Sequence, residues 1–198
     1  MYESDLLEEV DHVIEQYAAT HDEVERIWAQ HMVFTWHWWL SVALAVLPWI
    51  LWLIVRDRKN THSLLYAAMF TAFIATVLCM AGVAQGGWSY NTWLLPYFPQ
   101  YLPWDWTVMP VTVMLFYQYW PRITGRIKKR SFAFIKSPWI AALFFGAVAS
   151  YIVEPVFILM GMYEPSGWEH HYSLPIYTAI YIIGWWLYTR KRCSPAAA

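Results

Sequence analysis

The chain has 198 residues, 59% of them hydrophobic and 14% charged, where an ordinary soluble domain carries about 25% charged residues. Too little polar surface is available to solvate such a chain, which excludes a water-soluble globular domain. The net charge of −1 says little as a sum, but the charges are strongly segregated along the chain.

Residues 3–31 are polar but periodic: Leu7, Val10, Ile14, Tyr17, His21, Val24, Trp28 and His31 recur at steps of three and four, one stripe of a helix. The remaining surface carries nine acids against one base, Arg26. An anionic lipid surface would repel it, so residues 1–33 read as an acidic amphipathic helix outside the bilayer. It is expected to pack on protein: over the chain's own outer loops, or through residues 3–31 on a partner or a second copy. The N-terminus lacks a basic region followed by an apolar one, so no cleavable signal peptide is expected and the first span directs insertion.

Residues 34–192 then read as a membrane domain of about five spans, 36–55, 63–83, 104–120, 138–160 and 174–189, followed by a short tail at 193–198. The first span ends at Arg56-Asp57-Arg58-Lys59 and the second before Gln85-Gly86-Gly87. Between the second and third lies WSYNTWLLPYFPQYLPW, uncharged and aromatic, in which Pro96, Pro99 and Pro103 block a continuous helix. This Pro/Trp-rich segment is predicted to be interfacial or re-entrant, capping something. Pro110 is expected to kink the third span. The fold class is therefore all-α, an integral membrane helical bundle. No internal repeat is evident.

Twelve of the thirteen Lys and Arg residues lie at 56–59, 122–136 or 190–192. With five spans these stretches share one side, which the positive-inside rule makes cytoplasmic. Four or six spans break that agreement. The acidic helix and the loops 84–104 and 161–173 then lie outside, in the plasma membrane. The run RITGRIKKR is explained by topology and contact with anionic lipid headgroups, so membrane lipids are expected partners and nucleic acid is not. Trp36, Trp104, Trp106, Trp120, Trp139 and Trp168 fall near the expected interfaces.

Glu154 is the most informative residue, because a carboxyl group within a span is costly unless it is protonated, paired or facing a cavity. Pro155 withholds the amide that would bond the carbonyl of Tyr151, leaving a polar notch beside it. Glu154 is a candidate proton carrier, ligand group or general acid, or an interhelical hydrogen bond holding the bundle. Asp105 opens the third span, either as a first-turn acid favoured by the helix dipole or as a second functional carboxyl group. His37, Trp168, His170 and His171 lie toward the same side and complete the ligand-binding candidates, with Glu154 and Asp105 the catalytic ones. Vicinal His170 and His171 cannot point the same way on a helix, and no HExxH or CxxC spacing surrounds them, so neither a metal nor a cofactor is predicted. Cys79 lies within a span and Cys193 beyond the last, which argues against a disulfide. No phosphate-binding glycine loop, nucleophile elbow or Schiff-base lysine is present.

The block YNTWLLPYFPQYLPWDWTVMPVTVMLFYQYWP, followed by YIVEPVFILMGMYEPSGWEHHYS and a short last helix, resembles a family of small uncharacterised multi-pass membrane proteins of spore-forming Bacillota. The similarity spans residues 35–190 and rests on Asp105 to Pro110, Gln118-Tyr119 and Glu154-Pro155. It implies a fold and a lineage but no reaction, and the acidic N-terminal helix is particular to this member. The sequence thus favours a non-enzymatic bundle that binds, senses or scaffolds at the outer face, with the Pro-rich segment and the loop 161–173 capping a pocket. One alternative is a membrane-embedded enzyme on a lipidic or isoprenoid substrate with Glu154 or Asp105 as proton donor; another is a small transporter or channel subunit.

Overall fold

A computed structural model describes residues 2–127 and 134–193. The middle of the basic segment 122–136 and the tail beyond Cys193 lie outside the described residues. The architecture is helical, with one short β ribbon that the sequence had not suggested. Among the described residues, three helices are long and apolar enough to cross a membrane: Trp36–Val55, Arg58–Ala84 and Pro138–Leu159.

Helix α1 (Tyr2–Ile27) runs into a π-helical turn at Trp28–Met32. Its first part is exposed along the apolar stripe, Leu7 at 59% and Tyr17 at 75%. Its far end docks on the Pro-rich segment: Trp28 Nε1 donates to the carbonyl of Trp93 at 3.0 Å, and the rings of His21 and Tyr97 lie 5.9 Å apart. The chain then turns sharply at Phe34, whose φ of 64° is rare for a bulky residue, and Thr35 caps α2 (Trp36–Val55) by accepting from the Trp38 amide.

A basic corner joins α2 to α3 (Thr61–Ala84), where the Asp57 carboxylate accepts from the Lys59 amide and from Asn60 Nδ2. Gln118 of α4 (Met109–Gly125) closes this corner from the side. Its Nε2 donates to the carbonyl of Val55 at 2.7 Å, its Oε1 accepts from the Asp57 amide at 2.8 Å, and Arg122 meets Asp57 at 3.1 Å. A buried amide thereby satisfies backbone groups that the end of α2 leaves open.

The fourth long helix is continuous from Pro138 to Leu159 but has three parts: α5 (Pro138–Val148), a π-helical turn (Ala149–Val153) and α6 (Glu154–Leu159). A comparable π-helical turn, Trp104–Val108, leads into α4. Each turn directly precedes a proline-bearing segment, Pro155 or Pro110, and contains the residue whose carbonyl that proline cannot serve. A proline lacks the donor and crowds the carbonyl four residues back, so a wider turn re-registers the ladder around it.

Helix α7 (His170–Cys193) is longer than the 174–189 expected and carries Pro175 inside it. It packs against α3 and α5 through small residues. On α3, Ala67, Thr71, Ala75 and Cys79 are four apart and all buried, and Thr71 lies beside Gly184 of α7; on α5, Gly146 lies against Leu174 and Thr178. Tyr117 closes the centre, its hydroxyl donating to the carbonyl of Tyr181 at 2.7 Å beside Gly184.

At the end opposite the basic corner, β1 (Trp88–Tyr90) pairs antiparallel with β2 (Tyr163–Pro165), placing Trp88 opposite Pro165 and Tyr90 opposite Tyr163. The Ser166 amide extends the ladder to the carbonyl of Gly87, and the Asn91 amide to that of Met162. Gly86 and Gly161 end the helices that feed the two strands with left-handed φ values of 71° and 70°.

Gln118→Ala removes both backbone contacts of the corner and is expected to lower stability by about 1–3 kcal/mol, the usual effect of orphaning buried polar groups. Thermal unfolding in detergent measures it, and an unchanged midpoint would show that water replaces the amide.

Candidate functional site

Beneath the ribbon lies a cavity of about 300 Å³, bounded by the ends of α3 and α6, the start of α7 and the π-helical turn before α4. Its volume is at the lower limit of pockets that hold small ligands. The ribbon forms the roof through Trp88, Tyr90 and Tyr163; in a strand, residues two apart share a face, and Tyr163 is the cross-strand partner of Tyr90. Aromatic rings continue down the walls. Trp88 and Trp168 meet edge to face at 4.9 Å, Tyr90 stacks on Tyr101 at 5.7 Å, and Trp104 lies between Phe157 at 6.0 Å and Tyr177 at 6.1 Å.

Into this aromatic chamber project both acids. Asp105 is 2% exposed, and its Oδ2 is buried without a hydrogen-bond partner, while the Cys79 thiol lies beside the carboxyl group. Glu154 is 8% exposed; His170 Nδ1 approaches its Oε2 at 3.0 Å from the rim, and Tyr177 lies within reach of the same carboxyl group. Cys79 Sγ is also 3.3 Å from the Tyr90 hydroxyl. Both acids owe their placement to the π-helical turns: Asp105 lies inside one and Glu154 directly follows the other.

Burial sets the protonation of the surrounding phenols. It pushes the Tyr90 hydroxyl well above the ordinary tyrosine value, with the nearby Cys79 adding to the effect. Burial also raises Tyr101, to about 12, against the opposing pull of its hydrogen bond with Ser41. Tyr163 moves up as well, first through burial and then through the charge of Glu154. All three remain neutral hydroxyls at physiological pH.

Of the sequence candidates, Asp105, Glu154 and Trp168 line this cavity, and His170 reaches it through Glu154. His37 does not. Its Nε2 donates to the carbonyl of Met160 at 3.0 Å, tying the start of α2 to the end of α6. His171 turns away and pairs with Glu169 on the surface at 3.2 Å, so the two histidines diverge as helical geometry requires. Among the described residues, no three His, Cys, Asp or Glu side chains gather as a metal site. Sequence reasoning did not identify Cys79, Trp88, Tyr90, Tyr101, Tyr163 or Tyr177 as parts of the site. The signal available was the alternation in Trp88-Ser89-Tyr90 after a glycine pair, the mark of a short strand with both rings on one face.

No family model matches the chain, and neither a curated protein nor a solved structure does.

An unsatisfied carboxyl group in an interior weakens a fold unless something binds it. Asp105→Leu is accordingly expected to raise the stability of the empty protein by about 1–2 kcal/mol; a loss of stability would mark Asp105 as structural. The phenols give a second test. Their pKa values are higher folded than unfolded, so their contribution is complete below the unfolded value of about 10 and is lost as pH rises through the folded values. An alkaline titration should show phenolate absorbance from the exposed tyrosines first, with Tyr101→Phe removing a late component.

Proposed function

We propose that this chain is a five-span protein of the plasma membrane, with its N-terminus outside and its C-terminus in the cytoplasm, whose outer-half cavity binds a small ligand. The membrane bundle is supported by the three apolar helices, and the count of five by segregation of Lys and Arg to one end. The acidic helix, seated on the Pro-rich segment and exposing an apolar stripe, is suited to carry occupancy of the cavity to a protein partner or a second copy.

One observation carries the ligand-binding reading: Asp105 is buried, has an oxygen without a hydrogen-bond partner, and lines the same cavity as Glu154. Membrane interiors tolerate such a group when it serves a site. Binding is favoured over catalysis because the described residues show no complete catalytic constellation: the Cys79 thiol beside Asp105 is buried, and no third described group orients that carboxyl group. A second reading has one observation behind it. An acid inside an aromatic chamber is what protonation of an isoprenoid alkene requires, since the rings stabilise the resulting cation.

Native mass spectrometry of the purified protein, after incubation with an extract of its own membranes, distinguishes the two. Binding predicts an adduct recovered chemically unchanged and lost in Asp105→Asn. A product absent from the extract, made by the wild type and abolished in Glu154→Gln or Asp105→Asn, would replace binding by catalysis.

A further inference from the structure

The cavity's chemistry is one-sided in charge. Among the described residues, two carboxyl groups line it, no Lys or Arg does, and the basic side chain at its edge is His170, already engaged with Glu154. An anion would find two carboxyl groups and no free cationic side chain to pair with, and a neutral apolar ligand would offer those carboxyl groups no partner. A small inorganic cation needs several oxygen ligands gathered around one point, and the described His, Cys, Asp and Glu side chains form no such group. What remains is a cation whose charge is spread over carbon and which sheds water easily. The walls suit it: the faces of aromatic rings attract substituted ammonium groups, and here Trp88, Trp104, Trp168, Tyr101 and Tyr177 surround the carboxyl groups.

The shape of the opening adds a second property. Leu78 and Ala81 of α3 line the cavity while also being exposed, Leu78 at 41%, and Ile176 of α7 borders the same cavity. This flank is apolar, on the faces of two helices near their ribbon ends, whereas Gln85, Trp88 and Trp168 lie toward the ribbon. An alkyl substituent can leave the chamber along the apolar flank while the charged head stays between the acids.

We propose that the ligand is an organic cation, a quaternary or fully substituted ammonium group carried on an apolar body, held between Asp105 and Glu154 within the aromatic cage. The proposal rests on the ligand-binding reading above and names the chemistry of that same site. Such a head comes either from a free amine or from a lipid headgroup.

The test uses the full chain in nanodiscs of phosphatidylglycerol, which carries no ammonium group, and titrates choline and its uncharged isostere 3,3-dimethylbutan-1-ol by calorimetry. The two probes differ only in the charge at the central atom. Choline is expected to bind at least about tenfold more tightly, the scale of a cation–π and carboxylate contribution in a desolvated site. Asp105→Asn should remove most of that preference. Trp168→Leu should weaken choline while Trp168→Phe keeps it, which separates loss of the ring face from loss of the fold; a retained thermal transition certifies each variant. Nanodiscs of phosphatidylcholine distinguish the sources: abolished choline binding assigns the site to a lipid headgroup, unchanged binding to a free amine, and either outcome supports the proposal. Equal or tighter binding of the isostere overturns it, as does absence of choline binding in phosphatidylglycerol. If the membrane-derived adduct persists in those cases, ligand binding stands and only its cationic character falls.

Discussion

A carboxyl group inside an apolar helical bundle has few acceptable environments, and the organisation of this protein's ribbon end follows from holding two of them. Water solvates a carboxylate far better than packed helices do, so each buried acid must find a partner, take up a proton or face a space that a ligand fills. Glu154 has His170 and Tyr177. Asp105 has a thiol beside it and one buried oxygen without a hydrogen-bond partner. The ribbon, the two π-helical turns and the aromatic walls surround this pair. They account for why an otherwise apolar bundle keeps a chamber where close packing would be more stable.

The π-helical turns deserve their place in that account because they link covalent geometry to the site. Pro110 and Pro155 each deny a hydrogen bond to the preceding turn, and the widened backbone changes which side chains face inward. Regular helices through Asp105 and Glu154 would rotate the acids relative to the rest of their helices. The opposite end of the molecule shows the contrasting solution: at the corner of α2 and α3, Gln118 meets the open backbone groups directly.

Much of this was legible in the sequence, for reasons that differ by residue. The long helices follow from apolar blocks bounded by charges, and the special status of Glu154 and Asp105 follows from the cost of burying a carboxyl group. That these acids share one chamber was not legible, since it depends on the packing of α7 against α3 and α5 through alanines and glycines whose partners a sequence does not name. The ribbon was missed because three-residue strands carry too short an alternation to stand out beside prolines. His37 looked equivalent to His170 by depth, yet one donates to a backbone carbonyl and the other meets a carboxyl group; depth along a helix does not fix the direction in which a side chain points. Cys79 enters the sequence analysis only as a cysteine too far from Cys193 to pair, and the approach of Tyr90 and Asp105 gives it a role in the wall.

The central claim, that both acids line a single chamber open to the outside, is tested most directly by thiol accessibility in intact cells. Single-cysteine proteins carrying Asp105→Cys, Glu154→Cys or Gln118→Cys, each in a background with Cys79 and Cys193 replaced by serine, are exposed to a small membrane-impermeant cationic thiol reagent. The account predicts modification at positions 105 and 154 from the outside and protection at 118 until the cells are permeabilised. Modification of position 105 or 154 only from the cytoplasmic side, or of 118 from the outside, would contradict it.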